Sequence, residues 1–347
     1  MSAGDFTRMM PPISTTPSSR SPSRHSTARA LDVSVCIVNW NCVDYLRACL
    51  DSLSEERQGV RLEVIVVDNA STDGAAEMVA SEFPDVVLIR NSDNVGFARA
   101  NNQAAARAHG RHLFFLNNDT LVPAGSLRSL VEFADAYPEA GMIGPLLRNN
   151  RGEIQRSYRN QPTIAALLHR TALLHWTRLF KPAHDSYRTP EPTPTSTSQV
   201  DVLLGAAVLI RRDLYFRAGG WDEDFRFGVE DVEFATRIRQ YGPLLFHPAV
   251  EIVHHGRMSS RDNSTFTIPN LLIGYIHFFR KTGSSRLGVL LFKLALTCDA
   301  PVQLIYKSVQ TLSRRVFDSR ENSQKSWRTV KGFWHFLRHD LVRFWKT

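Results

Sequence analysis

Short apolar runs alternate with amphipathic segments through the first half of the chain. Four apolar runs predict buried strands, at Val33–Val38, Leu62–Val67, Val86–Ile89 and Leu113–Leu116. The segments between and after them carry helix-starting residues or apolar residues at three-to-four spacing, and predict helices at Val43–Leu53, Gly74–Glu82, Gly96–His109 and Pro123 to about Tyr137. This alternation is typical of an α/β fold in which helices flank a mostly parallel sheet.

Polar clusters directly follow three of the predicted strands. They are Asn39-Trp40-Asn41, Asp68 to Asp73, and Asn117-Asn118-Asp119. The carboxyl ends of parallel strands meet at one edge of a sheet, and open α/β sheets bind their ligands at that edge. We therefore expect the three clusters to converge on one site.

The middle of the chain predicts a hairpin, a helix and a loop. A turn at Gly152 joins Ile143–Arg148 to Glu153–Tyr158, which predicts the hairpin. A Leu- and His-rich segment predicts a helix over Ile164–Phe180, and the four prolines of Pro182–Gln199 indicate a mobile loop or linker. Two elements are predicted beyond it: an apolar strand, Val202–Arg211, interrupted by Gly205, and an acidic helix that starts near Glu230.

Composition divides the chain into three parts. A length of 347 residues, 43% apolar and 22% charged, predicts a globular protein of about two units. Residues 1–30 are rich in Ser, Pro and Arg and poor in large apolar side chains, which predicts a disordered tail. We expect this tail at 1–30, an α/β domain at 31–265 and a basic, amphipathic helical region at 266–347.

The C-terminal region predicts contact with a membrane surface. Its apolar stretches Leu271–Phe279 and Leu287–Leu296 are shorter than the roughly 18 residues that a membrane span requires. Nine lysines and arginines stand against three acids from Arg314 to Thr347, within a net charge of +8. Seven aromatic residues are interleaved with them: Phe317, Trp327, Phe333, Trp334, Phe336, Phe344 and Trp345. Basic and aromatic residues at helical spacing suit an anionic lipid surface.

Four cysteines without CxxC spacing indicate reduced thiols in a reducing compartment. Together with the basic, aromatic C-terminal region, they predict a cytoplasmic protein that is peripheral on the inner face of the plasma membrane.

Five motifs carry the candidate chemistry. They are Val35 to Asn41, Val67 to Asp73, Asn94 to Asn102, Phe115 to Asp119, and Gly219-Gly220-Trp221-Asp222-Glu223 continuing to Glu230-Asp231-Val232-Glu233. In this order and spacing they resemble the family 2 glycosyltransferases, inverting enzymes of the GT-A fold, and are closest to the rhamnosyltransferase-like branch. The resemblance covers about Asp32 to Ser260. It implies a GT-A-type, mostly parallel sheet flanked by helices, with a helical, membrane-associating extension.

The resemblance implies a nucleotide-diphosphate sugar as donor. The residues that it assigns to nucleotide-sugar binding are Asn39, Asn41, Asp68, Asn94, Gly96, Arg99, Asn102, Asn117 and Asn118. The carboxylate of Asp68 can accept a charge-assisted hydrogen bond from the imide N–H of uracil or thymine, although an Asx turn is an alternative. Arg99 could reach phosphate or could be a solvated helix arginine.

The resemblance also implies a divalent cation, Mg²⁺ or Mn²⁺. Asn117-Asn118-Asp119 resembles the family's aspartate-any-aspartate motif with Asn in the first place, so Asp119 supplies the hard oxygen ligand. His254 is the favoured histidine ligand and His255 the second choice. Asp119 could instead be a structural cap, and either histidine a satisfied core residue.

The resemblance further implies that Asp231 is the general base, which deprotonates the acceptor hydroxyl. A structural role at the N-terminus of the helix is the alternative, and for Glu233 we expect only an ion pair with Arg237. The residues expected to contact the acceptor or the sugar are Gly205, Trp221, Asp222 and Glu230. A place for Trp221 in the core is equally compatible with the sequence.

These assignments predict a metal-dependent inverting glycosyltransferase in cell-surface polysaccharide synthesis. Rhamnose is the first expectation for the donor sugar, and a glycan or polyprenyl-diphosphate-linked glycan for the acceptor. Another sugar such as galactofuranose, or a non-catalytic sugar-nucleotide-binding relative, is the alternative.

Two other functional classes fit the sequence poorly. A nucleic-acid partner is not expected, because the clusters at the predicted sheet edge are acidic and amide-rich rather than basic. A nicotinamide dehydrogenase would need a GxGxxG turn after the first strand, where this chain has Asn39-Trp40-Asn41.

Overall fold

The computed structural model describes residues 31–188, 193–256 and 263–347. The predicted tail at 1–30 lies outside the described residues, as does part of the predicted loop Pro182–Gln199. Cys36, Cys42, Cys49 and Cys298 are free thiols.

The predicted alternation of strands and helices is confirmed in the first half of the chain. The elements are β1 (Val33–Asn39), α1 (Val43–Glu56), β2 (Leu62–Asp68), α2 (Ala75–Glu82), β3 (Val87–Arg90), α3 (Phe97–Arg107), β4 (His112–Asn117), β5 (Thr120–Leu121) and α4 (Ser126–Ala136). Strands β3, β2, β1 and β4 lie side by side and run parallel.

Shorter elements follow. They are β6 (Met142–Arg148), β7 (Ile154–Gln155), β8 (Tyr158–Arg159), α5 (Ile164–Leu168), α6 (Ala172–His175), α7 (Lys181–Tyr187), β9 (Ser198–Val200), β10 (Val202–Leu203), β11 (Ala207–Arg211), α8 (Arg212–Arg217), α9 (Glu230–Ile238) and β12 (Leu244–His254). The antiparallel pair β6 and β7 confirms the predicted hairpin.

The prediction of one helix over Ile164–Phe180 is wrong. Thr171 has an extended backbone, and its hydroxyl accepts from the N–H of Leu174, so a new helix, α6, begins there. Pro182 lies in the first turn of α7, where its missing N–H costs nothing, so part of the predicted loop is helical.

The sheet is mostly parallel, as expected, but two strands of its main order run against the other six, so that it is mixed. Its main order is β3-β2-β1-β4-β11-β6-β12-β5, and β11 runs antiparallel to both of its neighbours. Strand β12 is parallel to β6, and β5 is antiparallel to β12. The apolar run of β11 predicts a buried strand correctly, but an apolar pattern carries no information about strand direction.

Helices complete the chain. They are α10 (Ser264–Lys281), α11 (Arg286–Phe317), α12 (Arg320–His335), a π-helical turn (Phe336–Asp340) and α13 (Leu341–Lys346). Apolar residues of α10 share one buried cluster with the sheet, and the predicted boundary at 265/266 falls inside this helix. A Cβ on Gly332 of α12 would lie 2.6 Å from the carbonyl oxygen of Ser264, so α10 and α12 pack closely because glycine lies at that contact.

The C-terminal helices differ from the sequence expectation in two respects. The stretch Leu287–Leu296 is only the first part of α11, and residues Arg286–Arg315 form a helix that is long and apolar enough, by length and composition alone, to cross a membrane. Among the tail aromatics, Phe336 and Phe344 are buried in the core, whereas Trp327 and Trp334 are about half exposed.

Candidate active site

A cleft of about 840 Å³ opens at the carboxyl edge of the sheet. Ten residues predicted from the sequence line it: Asn94, Gly96, Asn117, Asn118, Asp119, Gly205, Glu230, Asp231, His254 and His255. Asp119 and Asp231, expected on the two sides of the reacting bond, thus share one cavity. The convergence expected from the strand ends is present in the fold.

The pairing of β5 with β12 brings Asp119 to the histidines. Thr120 is opposite His254 in the antiparallel register, and the N–H of His255 donates to the carbonyl oxygen of Asp119 at 2.9 Å. As a result, Nε2 of His254 lies 3.3 Å from Oδ1 of Asp119. Both side chains are largely buried, with 12% and 3% of their surfaces exposed.

Gln155 determines which nitrogen of His254 carries the proton. Its Nε2 donates to the backbone carbonyl of His254 at 2.7 Å, so its Oε1 faces Nδ1 of the same histidine at 2.9 Å. An oxygen can only accept, and Nδ1 is therefore the protonated nitrogen. In the neutral ring, the lone pair of Nε2 then faces the carboxylate of Asp119.

Two electron-pair donors facing each other at 3.3 Å repel unless a positive charge lies with them. Asn117 provides part of the compensation, because its Nδ2 lies 3.3 Å from the same Nε2. A carboxylate oxygen and an imidazole nitrogen are also ligands that a divalent cation can use. Within the described parts of the chain, no group of three or more His, Cys, Asp or Glu side chains is placed to hold a metal.

A second polar network joins the ends of β1, β2 and β4. Asn39 donates to Oδ1 of Asp68 at 3.0 Å, and Asn118 donates to Oδ1 of Asn39 at 2.6 Å. The other oxygen of Asp68 accepts from the N–H of Ser71 at 2.9 Å, so Asp68 does shape the turn. Asn39 and Asp68 are buried behind the cleft surface.

Trp221 belongs to the core rather than to the cleft surface. Only 2% of it is exposed, and its ring stacks on Phe234 with centroids 4.3 Å apart. Asn102 holds it in place by donating to its carbonyl oxygen at 2.8 Å and accepting from its N–H at 2.9 Å. Trp221 thus takes the place in the core that the sequence also allowed, and Asn102 supports it there.

Three more predicted contact residues lie outside the cleft lining. Arg99 is 60% exposed and faces Glu223 at 3.8 Å, so its environment is that of a solvated helix arginine. Asp222 forms an ion pair with Lys281. Asn41 accepts from the N–H of Thr72 at 2.7 Å and stabilises the neighbouring loop.

The N-terminus of α9 brings two acids into the cleft. The residue before them, Val229, has φ = 140°, a strained backbone conformation for a β-branched residue that the packing around it must impose. Asp231 lies 3.6 Å from Arg159, and a Cβ on Gly205 would be only 3.5 Å from the Cβ of Asp231. Glycine at 205 therefore leaves room beside Asp231.

Glu230 is protonated near neutral pH. Burial, reinforced by the charge of neighbouring Asp231, raises the pKa of its carboxyl to about 8 from an ordinary 4.5. A neutral Glu230 adds no repulsion to the negative charge of Asp231. On the same helix, Glu233 accepts from Nε of Arg237 at 2.6 Å, which confirms the predicted ion pair.

Sequence reasoning missed several residues of this cleft, among them one glutamine and four arginines: Gln155, Arg156, Arg159, Arg170 and Arg226. Gln155 and Arg159 lie on two-residue strands, too short to show an apolar period. The only available signal was the hairpin prediction, which placed this segment near the sheet edge.

The mixed sheet, with acids and histidines at its ligand-binding edge, has the architecture of the GT-A glycosyltransferases. A mannosyltransferase from Pyrobaculum calidifontis, solved with GDP-Man and Mn²⁺, matches with a TM-score of 0.50 at 20% identity, over 91% of this chain and 88% of its own. GalNAc-T7, solved with UDP, GalNAc and Mn²⁺, matches with a TM-score of 0.55 at 18% identity, over 91% and 58%. At these identities, the two structures show that the fold is shared.

Sequence comparison identifies the family. A model described as Glycosyl transferase family 2 matches residues 34–198. The N-acetylglucosaminyl-diphospho-decaprenol L-rhamnosyltransferase of Mycobacterium tuberculosis is 30% identical over 217 residues, covering 59% of this chain and 69% of the relative. The chain belongs to glycosyl transferase family 2.

The raised pKa of Glu230 predicts a distinct pH dependence of stability. An unfolded Glu loses its proton near pH 4.5 and the folded one near pH 8, so the native state binds more protons between these values. The free energy of unfolding therefore falls as pH rises across this window, by about 1.4 kcal/mol per unit of pKa difference at most. As pH rises from about 5 to about 8, the free energy of unfolding measured in urea should therefore fall less for Glu230→Gln than for the wild type.

Glu55→Gln is the matched control, because Glu55 is exposed. Its stability should follow the wild-type pH curve. Parallel curves for the wild type and Glu230→Gln would show that Glu230 is ionised in the native state.

Proposed function

We propose that this chain transfers a deoxyhexose such as rhamnose, with inversion, from a nucleoside-diphosphate donor to a polyprenyl-diphosphate-linked glycan. The observation that carries the proposal is the shared cleft, with Asp119 and His254 at one point and Asp231 at another. The name of the mycobacterial relative supports the sugar and the acceptor. Such a transfer belongs to the synthesis of cell-surface polysaccharide.

Asp119 and His254 are the residues that would hold a divalent cation. When bound, Mg²⁺ or Mn²⁺ supplies positive charge to the departing diphosphate. Two protein ligands fit such an ion, because Mg²⁺ is commonly held by one or two carboxylates together with substrate phosphates. The contact with Gln155 is made at Nδ1 of His254, so Nε2 is the nitrogen that is directed at Asp119 and that would bind a metal ion.

Asp231 acts as the general base in this proposal. Its carboxylate lines the cleft and takes the proton of the acceptor hydroxyl as that oxygen attacks the anomeric carbon. The guanidinium of Arg159 lies 3.6 Å away and orients this carboxylate. The neutral Glu230 next to it adds no competing charge, so one acid accepts the proton and the other stabilises the helix start.

The C-terminal helices would hold the enzyme against the membrane. Seven apolar residues of α11 are 44–66% exposed and follow three-, four- and seven-residue spacings that place them on one face: Leu287, Leu290, Leu291, Leu294, Ile305, Val309 and Leu312. The opposite face is packed, with Lys293 and Asp299 buried. Exposed Arg286 and Arg315 flank the apolar face, a charge arrangement that suits an anionic surface.

Replacing Asp231 by Asn should abolish sugar transfer without abolishing donor binding. The amide keeps the size of the side chain but cannot take a proton, and general-base catalysis contributes about 10²–10⁴-fold to rate. Transfer from dTDP-rhamnose and nucleotide affinity are measured separately. Asp213→Asn, on an exposed helix position, is the control; near-normal transfer by the Asp231 variant would mean that the base is elsewhere.

Metal binding should depend on both Asp119 and Gln155. Loss of a residue that orients a metal ligand typically weakens metal affinity by about 10–100-fold, so Gln155→Leu and Asp119→Asn should both weaken Mn²⁺ binding in the presence of dTDP. Electron paramagnetic resonance of free Mn²⁺ measures this directly. Gln324→Leu, at an exposed position of α12, is the control. Full transfer activity in excess chelator would exclude the role of Asp119.

Carboxylates introduced on the exposed apolar face of α11 should weaken the binding of the protein to lipid. The pair Leu290→Glu and Leu294→Glu lies one helical turn apart on that face, and burying two carboxylates in lipid is costly. Co-sedimentation with vesicles of phosphatidylcholine and phosphatidylglycerol should fall strongly. The pair Val87→Glu and Tyr241→Glu, at exposed apolar positions elsewhere, is the charge-matched control; equal binding by both pairs would remove α11 from the interface.

A further inference from the structure

Among the described residues that line the cleft, arginines outnumber acids. Four arginines line it: Arg156, Arg159, Arg170 and Arg226. The acids that line it are Asp119, Asp231 and Glu230, and Glu230 holds its proton to about pH 8. A cavity with this balance attracts an anionic ligand in addition to anything bound at Asp119.

Arg159 is held in place but is only partly paired. Its Nη1 donates to the hydroxyl of Tyr187 at 2.9 Å, and that hydroxyl lies 3.5 Å from the hydroxyl of Tyr275. Its ion pair with Asp231 is long, at 3.6 Å, and its buried Nε has no hydrogen-bond partner among the described residues. A guanidinium fixed by a tyrosine, with donors to spare, is suited to a phosphate oxygen.

Arg170 and Arg226 add exposed guanidinium groups at the cleft. Neither side chain forms an ion pair or hydrogen bond with any residue in the described ranges, so both are available to a ligand. Arg170 follows α5, on the same side of the molecule as α6 and the long helix α11, because α11 packs against both short helices.

The position of Asp231 assigns the arginines to the acceptor. The proposed base must lie within hydrogen-bond reach of the acceptor hydroxyl, and Arg159 lies beside that base. In an acceptor whose sugar is joined directly to a diphosphate, the phosphates lie one sugar ring from the reacting hydroxyl. Asp119, by contrast, belongs to the donor side.

An apolar surface leads from Arg170 to α11. Leu173, Trp176 and Leu179 are 49%, 85% and 69% exposed, immediately after Arg170 in the chain. The carboxylate of Asp299 on α11 accepts from the N–H of Ala172 at 2.6 Å, which fixes this segment to the long helix. A lipid chain leaving the arginines would therefore meet exposed apolar side chains on a segment that is fixed to α11.

We infer that Arg159 and Arg170 form a subsite for the diphosphate of a prenyl-linked acceptor, with the segment 172–180 guiding the lipid toward the membrane. The inference rests on the proposed function for the direction of the acceptor. The same guanidinium chemistry could also serve the donor diphosphate, and the experiment separates the two sources.

Binding of farnesyl diphosphate in the presence of EDTA tests the subsite without catalysis. Calorimetry on the full chain should show that Arg170→Ala weakens this binding by about tenfold or more, since a phosphate–guanidinium contact is charge-assisted. Arg159→Lys should weaken it as well, because lysine cannot form the bidentate contact. Arg107→Ala is the control. It removes the same charge at an exposed position outside the cleft, and should leave farnesyl diphosphate binding unchanged. Farnesol should bind all variants equally weakly.

Binding of dTDP with Mn²⁺ by the same variants separates the donor from the acceptor. Unchanged dTDP affinity in Arg170→Ala, together with lost farnesyl diphosphate affinity, supports the subsite. Equal losses for both ligands would assign the arginines to the donor, and no loss for either would overturn the inference. Failure of the proposed function is a different result, in which the wild type binds farnesyl diphosphate but neither binds dTDP nor transfers sugar.

Discussion

Two carboxylates share one cleft, and the fold gives each a different partner. Asp119 faces Nε2 of His254, whose tautomer is set by Gln155. Asp231 faces the guanidinium of Arg159. The third acid, Glu230, keeps its proton, so the negative charge is divided between two separate places. In the proposed reaction, this separation would let one acid hold a cation while the other accepts a proton.

The register of the sheet and one strained residue produce that separation. Strand β5 is only two residues long, but its pairing with the end of β12 is what brings Asp119 against His254. On the other side, the unusual backbone of Val229 turns the chain sharply into α9, so that Glu230 and Asp231 enter the cleft together. Gly205 keeps the space next to Asp231 open. Rigid strands therefore position the cation side, and a helix start positions the proton-accepting side.

The sequence predicts the features of the site that depend on neighbouring residues better than those that depend on contacts between residues far apart in the chain. Strand ends are local patterns, so Asn117 to Asp119 and the acids of α9 were found at the ligand edge as expected. The direction of β11 depends on its pairing with β4, and the packing of Trp221 depends on Phe234. Neither can be predicted from a local sequence pattern. Gln155 and Arg159 lie on very short strands, and each acts through a contact of its side chain with a residue distant in sequence. These contacts, to His254 and Asp231, are visible only in the folded structure. The helix break at Thr171 was missed for a different reason, because the Leu- and His-rich composition of the segment outweighed a local capping signal.

The C-terminal helices connect the chemistry of the cleft with its surroundings. Helix α10 lines the cleft through Leu271 and Tyr275, and the same helix packs against α12 through the contact at Gly332. Helix α11 is anchored to the segment behind Arg170 through Asp299, while its opposite face is apolar and exposed. Since all these contacts belong to one packed unit, a surface that holds α11 also fixes the orientation of the cleft. An acceptor confined to that surface would then arrive with its head group already directed at the arginines. Because the membrane has already restricted its orientation, binding in the active site would lose less orientational entropy.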